Sequence, residues 1–105
     1  MRRLFYRSRA RQDFVEILDH LGERDPRVAE RFRVNFIQIT QSLQIFPSRG
    51  PVEMTDPRGT LRRIVVPRFY NYLIFYRVED ASIDVIRVLH GARDRLAALE
   101  DSGDL

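Results

Sequence analysis

Apolar residues recur along this chain with two different periods, and the change of period divides it into a helical part and a strand part. After Ser8, the residues Ala10, Phe14, Ile17, Leu18 and Leu21 fall three or four apart, the spacing of one helix face. Arg9, Gln12, Asp13, Glu16 and Asp19 fill the other side. Ser8 is a candidate cap, since its hydroxyl can accept from backbone N–H groups two or three residues on, and Gly22 is the expected stop. Asp25-Pro26 opens a second helix, with aspartate as cap and proline at the first helical position, where its missing N–H costs nothing. Ala29, Phe32, Phe36, Ile39 and Leu43 mark its buried face, and the run stops at Phe46-Pro47. Two antiparallel helices joined by a short loop are expected.

The strand signals lie on either side. Arg2 to Arg7 alternate loosely and fit a first strand. The stretch from Pro47 to Thr60, with Pro47, Gly50, Pro51, Pro57 and Gly59, reads as a loop. Beyond it the period becomes two: Leu61 to Val66 is a strand, Pro67-Arg68 a turn, and Tyr70 to Val78 a second strand. A short loop over residues 79–82 leads to a last strand, Ile83 to Leu89. A brief helix is expected from Arg93 to Leu99, then an acidic tail over residues 100–105. The reading is one α+β domain over residues 1–99, a helical hairpin packed on a small, mainly antiparallel sheet in the order β-α-α-β-β-β. Both faces of the last two strands are apolar, and the hairpin can cover only one. The second face is therefore expected to stay partly open until another chain occupies it.

Bulk properties narrow the class. At 105 residues, 44% hydrophobic and 31% charged, the chain is an ordinary small globular domain. Cysteine is absent, which excludes disulfides and thiolate metal sites. No apolar run approaches the ~20 residues of a membrane span, and no apolar segment follows the basic N-terminus, so a cytoplasmic protein without membrane contact is expected. All 18 basic residues are arginine. Each is a planar clamp for carboxylates or phosphates, and none can act as a proton-accepting amine. The net charge of +3 and the pI near 9.9 suit an acidic or nucleic-acid partner without choosing between them.

Candidate chemistry gathers at the end of the last strand, Ile86-Arg87-Val88-Leu89-His90-Gly91-Ala92-Arg93-Asp94. His90 could serve as a general acid or base, and a ribonucleolytic set would join it to Arg87, Arg93, Tyr72 or Tyr76 and Glu53. No spacing enforces that geometry, and a lone histidine is more often structural. His20, on the first helix, reads as a surface residue. No metal site, phosphate loop or hydrolase elbow is spelled out, and no cofactor is expected. Arg62-Arg63 and Arg87 with Arg93, near Phe69, Tyr70 and Tyr72, could clamp RNA or receive the carboxylates of an acidic protein. Arg93-Asp94 could equally form a local network that pins the chain's exit from the sheet.

Taken in order, these features resemble the ParE branch of the RelE/ParE toxin superfamily, the plasmid-stabilisation toxins of type II toxin–antitoxin modules. The resemblance runs from residue 4 to 99. It rests on Ser8, Ala10, Asp13, Phe14 and Ile17, on Pro26, Ala29, Arg31 and Phe32, and on Leu43, Phe46, Pro47, Gly50 and Pro51. It continues through Leu61-Arg62, Tyr72, Ile74 and Tyr76-Arg77-Val78 to the terminal Arg87–Asp94 run. It implies a growth-inhibiting toxin, neutralised by a ParD-like antitoxin, that poisons DNA gyrase and touches operator DNA only through the antitoxin. The alternative it leaves is a ribosome-dependent mRNA endoribonuclease of the RelE type. Lysine is absent and Gly91-Ala92 follows His90, which favours the branch that acts by contact, with no catalytic residue. On that reading Arg62, Arg63, Arg87, His90 and Arg93 contact the target. Phe14, Leu18, Tyr72 and Phe75 meet the antitoxin, and Gly91 and Asp94 order the turn.

Overall fold

A computed structural model describes residues 1–91. The order is β1 (Arg3–Tyr6), α1 (Ser8–Arg24), α2 (Pro26–Ser42), β2 (Val52–Asp56), β3 (Gly59–Val66), β4 (Phe69–Val78) and β5 (Ser82–His90). The strands form one sheet in the order β1-β5-β4-β3-β2. Every neighbouring pair is antiparallel except β1 with β5, which run parallel from Arg3↔Ser82 to Tyr6↔Val85. The expected α+β architecture is present. The expected helix from Arg93 to Leu99 lies outside the described residues.

Three local expectations need correction. Val52–Asp56, read as loop, is a strand paired with β3. Its prolines and glycines frame a hairpin: Asp56 Oδ1 accepts the Arg58 N–H at 2.8 Å, and Gly59 takes a φ of 117°. A register shift between Val52 and Met54 makes the pairing with β3 irregular. Ser8 does not cap α1. Arg7 occupies the cap position, with no side-chain bond to the helix. Gly22 does not end α1, which runs on to Arg24, where Asp25 closes it by donating its N–H to Leu21 O at 3.1 Å. The same Asp25 caps α2 as expected, its carboxylate accepting from Arg27 N at 2.9 Å with Pro26 at the first position.

The hairpin covers one face of the sheet. Phe32, Phe36 and Ile39 of α2 and Ala10 of α1 pack on Val66, Tyr72, Ile74, Val85 and Val88. Phe14 joins them, its ring 4.7 Å from that of Phe36. The Tyr6 hydroxyl, held by Thr40 Oγ1 at 2.7 Å, is the polar exception within this layer, and burial raises its pKa. On the other face Leu61, Phe75, Ile86 and Leu89 form a separate cluster. Here the expected open surface is not found. In the isolated chain Leu61 and Phe75 are 0% exposed and Ile86 1%.

Candidate functional site

The tip of β5 is shaped by the shortness of β1. That strand ends opposite Val85, where Arg7 donates its N–H to Val85 O at 2.9 Å, and the outer edge of β5 continues beyond it. Within β5 the register skips a residue, since Phe75 faces Arg87 while Tyr76 faces Val85. Ile86 is the extra residue, and it joins the cluster with Phe75. Arg87 turns to α1. Its Nε and Nη2 donate to Asp13 Oδ2 and Oδ1 at 2.7 and 3.0 Å, and Asp13 Oδ2 also accepts the Val88 N–H at 3.0 Å. One carboxylate thus replaces the missing strand along the edge and neutralises the arginine. Both side chains are buried, Asp13 at 8% and Arg87 at 4% exposure.

His90 follows on the surface. Its ring stands edge-on to Tyr72, 5.0 Å away at 80°, and Tyr72 in turn packs edge-on against Phe32 at 5.2 Å. Burial raises the pKa of the Tyr72 phenol. Gly91 then takes a φ of 65° and donates its N–H to Asn71 O. That left-handed conformation suits glycine. Asp94 and Arg93 lie outside the described residues.

The remaining predicted residues are spread over the molecule. Arg62 Nη1 donates to Gly50 O at 2.8 Å, and Arg63 Nε lies 2.9 Å from Glu53 Oε2. Tyr76 is fully buried beneath the loop after α2: its hydroxyl donates to Pro47 O at 2.8 Å and accepts the Gly50 N–H at 2.9 Å. Burial raises its pKa, and the Gly50 bond partly offsets this. Phe14 and Leu18 are half-buried against the core under the hairpin, where Tyr72 is buried, whereas Phe75 belongs to the opposite face. These four do not share a surface. Of the possible ribonucleolytic set, the fold brings together His90 and Tyr72, and it commits Arg87 and Tyr76 to structural bonds. Among the described residues no cluster of three His, Cys, Asp or Glu could hold a metal ion.

Sequence reasoning missed Asp13 by placing it on the polar side of α1. The signal was available: Asp13 is three residues from Ala10 and four from Ile17, inside the apolar stripe, and an acid in that register needs a buried partner. It also missed the role of Gly50. A Cβ there would collide with Arg63 O and crowd the Tyr76 hydroxyl.

With this geometry in hand, the chain can be placed among known proteins. The fold, a helical hairpin on a sheet with a parallel first strand, matches that of a chain from the chromosomal ParDE toxin–antitoxin system of P. aeruginosa. The TM-score is 0.71 at 19% identity, covering 87% of this chain and 97% of that one. The family model for the ParE toxin of type II toxin–antitoxin systems, parDE, matches residues 4–95. Two Caulobacter vibrioides proteins are similar along most of their length. Toxin RelE2 is 31% identical over 93 residues, 89% of this chain and 99% of its own. Toxin RelE1 is 38% identical over 88 residues, 83% and 90% respectively. The chain belongs to the ParE toxin family, within the ParE/RelE superfamily of type II toxin–antitoxin toxins.

Proposed function

We propose that this toxin arrests growth by docking onto DNA gyrase, without cutting nucleic acid, and that a ParD-like antitoxin neutralises it. One observation carries the preference for contact over cleavage. Arg87, the cation beside His90 that a nuclease would aim at phosphate, is buried and held bidentately by Asp13. A guanidinium so paired would have to give up its carboxylate before it could stabilise a transition state. Tyr76 and Glu53 are engaged elsewhere by the loop and by Arg63. In this reading Arg87 positions the strand tip, while His90, Arg62, Arg63 and Arg93 are the proposed target contacts. Antitoxin contact through Phe14 and Leu18 uses the partly exposed flank of the hairpin. Tyr72 would contribute beneath such contacts as packing, and Phe75, on the opposite face of the sheet, would need a separate contact.

The test is a supercoiling reaction with purified gyrase. The toxin should inhibit supercoiling or trap cleaved DNA, and stoichiometric antitoxin should reverse the effect. A gyrase reaction indifferent to the toxin overturns the proposal. The names of the two Caulobacter vibrioides relatives favour a second reading, a ribosome-dependent mRNA endoribonuclease with His90 and the adjoining Tyr72 at its centre. Ribosome-primed mRNA cleavage that disappears in His90→Ala would establish that reading instead.

A further inference from the structure

The turn between β3 and β4, Pro67 and Arg68, departs twice from the regular form of a hairpin. Among the described residues Arg68 is the only non-glycine with a positive φ, 71°. An L side chain in that conformation crowds its own backbone, and turns that need it favour glycine or asparagine. The second departure is in the register. Val65 faces Leu73 and Val66 faces Phe69, so Tyr70, Asn71 and Tyr72 are skipped on the β3 side. On the β5 side the strand stays in line: Tyr72 faces His90, and Asn71 O accepts the Gly91 N–H. Extra residues in one strand re-aim its side chains. Tyr72 is buried, while Tyr70 is 72% exposed, the most exposed aromatic ring among the described residues.

The tip is nevertheless held from behind. Asn35 of α2 donates from Nδ2 to Pro67 O at 3.0 Å, and the Phe69 ring stands edge-on to Phe32 at 5.2 Å. One turn thus presents an arginine and a tyrosine from a fixed base. Backbone strain kept at an exposed position, where glycine would relieve it, points to a use for the side chain. Chemistry and charge select the occupant. Arginine and tyrosine are the residues that dominate binding energy at protein–protein contacts. From Pro57 to Val78 the chain holds five arginines and no acidic residue, and only Arg63 and Arg77 of these meet a carboxylate of β2 in the described ion pairs. The hairpin is therefore positive and suits an acidic partner. A nucleic acid is held by a row of cations along its phosphates, and the tip presents one. A second copy of this chain would bring a net charge of +3 to it.

We infer that this tip is the toxin's leading contact with its target, entering an acidic, apolar-walled cleft on a protein, with Arg68 against a carboxylate and Tyr70 against the wall. The inference rests on the reading that the toxin acts by docking onto gyrase. It extends the target contacts proposed at His90 onto the adjoining turn.

The experiment titrates full-length toxin into a gyrase supercoiling reaction, with thermal melts and growth on toxin expression as companion measurements. Arg68→Gly relieves the backbone and removes the cation, so Tm should rise by a few degrees while half-inhibition needs about tenfold more toxin or higher. Those opposite directions are the signature, because a purely structural turn would lose inhibition only along with stability. Tyr70→Ser should leave Tm unchanged and weaken inhibition about tenfold. Arg58→Ala, at the opposite end of β3, should change inhibition less than about twofold. A fall in Tm for Arg68→Gly would assign the side chain to the fold and overturn the inference. If the wild type inhibits gyrase and both tip variants inhibit equally well, the tip assignment is wrong while the gyrase reading stands. If the wild type arrests growth but leaves gyrase untouched, the gyrase reading is wrong and growth decides the tip. Folded tip variants that still arrest growth overturn it, and variants that no longer do so support it. A wild type that neither inhibits gyrase nor arrests growth overturns both. Ribosome-dependent mRNA cleavage that disappears with Arg68→Gly would make the occupant a nucleic acid and overturn the assignment to a protein cleft.

Discussion

Arg87 and Tyr76 are long polar side chains buried in adjacent strands, and the molecule satisfies them by different chemistry. Arg87 is ionic and meets the Asp13 carboxylate, which also serves the Val88 N–H. Tyr76 is neutral and meets two backbone groups of a loop, Pro47 O and the Gly50 N–H. The first arrangement ties α1 to the sheet edge at one end, and the second ties the chain leaving α2 to the sheet interior. An ion pair removed from water tolerates the loss of neither partner, because the survivor is an uncompensated buried charge. A hydroxyl can be deleted at the cost of its hydrogen bonds alone. The comparison separates a junction that behaves as all-or-none from one that can be loosened by degrees.

The largest expected effect is therefore at the ionic junction. Arg87→Ala or Asp13→Ala should lose about 3–5 kcal/mol in urea unfolding. The pair Asp13→Leu with Arg87→Met should recover much of that, short of the cost of leaving the Val88 N–H without its acceptor. Equal losses in the single and double variants would show that packing, not charge, sets the difference between the two junctions. Gly50→Ala comes next, at about 1–3 kcal/mol, because its Cβ would meet the backbone oxygen of Arg63 and push against Tyr76. Tyr76→Phe should cost about 1–2 kcal/mol by the same assay, with the loop after α2 gaining amide exchange before the rest of the fold.

The smallest effect is one of pH. The Arg77 side chain beside Asp56 holds that carboxyl below its ordinary value, with the Arg58 N–H adding to the effect. A lowered folded-state pKa adds stability that is complete above the unfolded aspartate value of about 3.9 and drains away as pH falls through the folded one. Stability measured from pH 6 downward should thus decline less steeply below about pH 4 in Asp56→Asn than in the wild type. An unchanged slope would mean that the Arg77–Asp56 pair contributes nothing.

Where the sequence was legible, one signal acted alone. The stripes of α1 and α2 announce their elements because each buries one continuous face, and β3 to β5 are announced by runs of apolar and β-branched residues. The Asp25-Pro26 cap is legible for the same reason: its chemistry is local. β2 was hidden by Pro57 and Gly59, which build its turn but read as loop. The candidate site was half legible. His90, Tyr72 and Gly91 do come together at the strand end. Arg87 looked like a surface clamp because its partner Asp13 lies 74 positions away, and only the fold brings the two within hydrogen-bond reach.

The parallel pairing of β1 with β5 has a consequence for synthesis. Arg3 cannot find Ser82, nor Tyr6 find Val85, until almost the whole chain has left the ribosome. A nascent chain can form its hairpin of helices early, but β5, the strand that joins β1 to the rest of the sheet, arrives last, and with it the Arg87 lock. Cells translating this message therefore carry an interval, for every molecule made, in which the harmful shape does not yet exist.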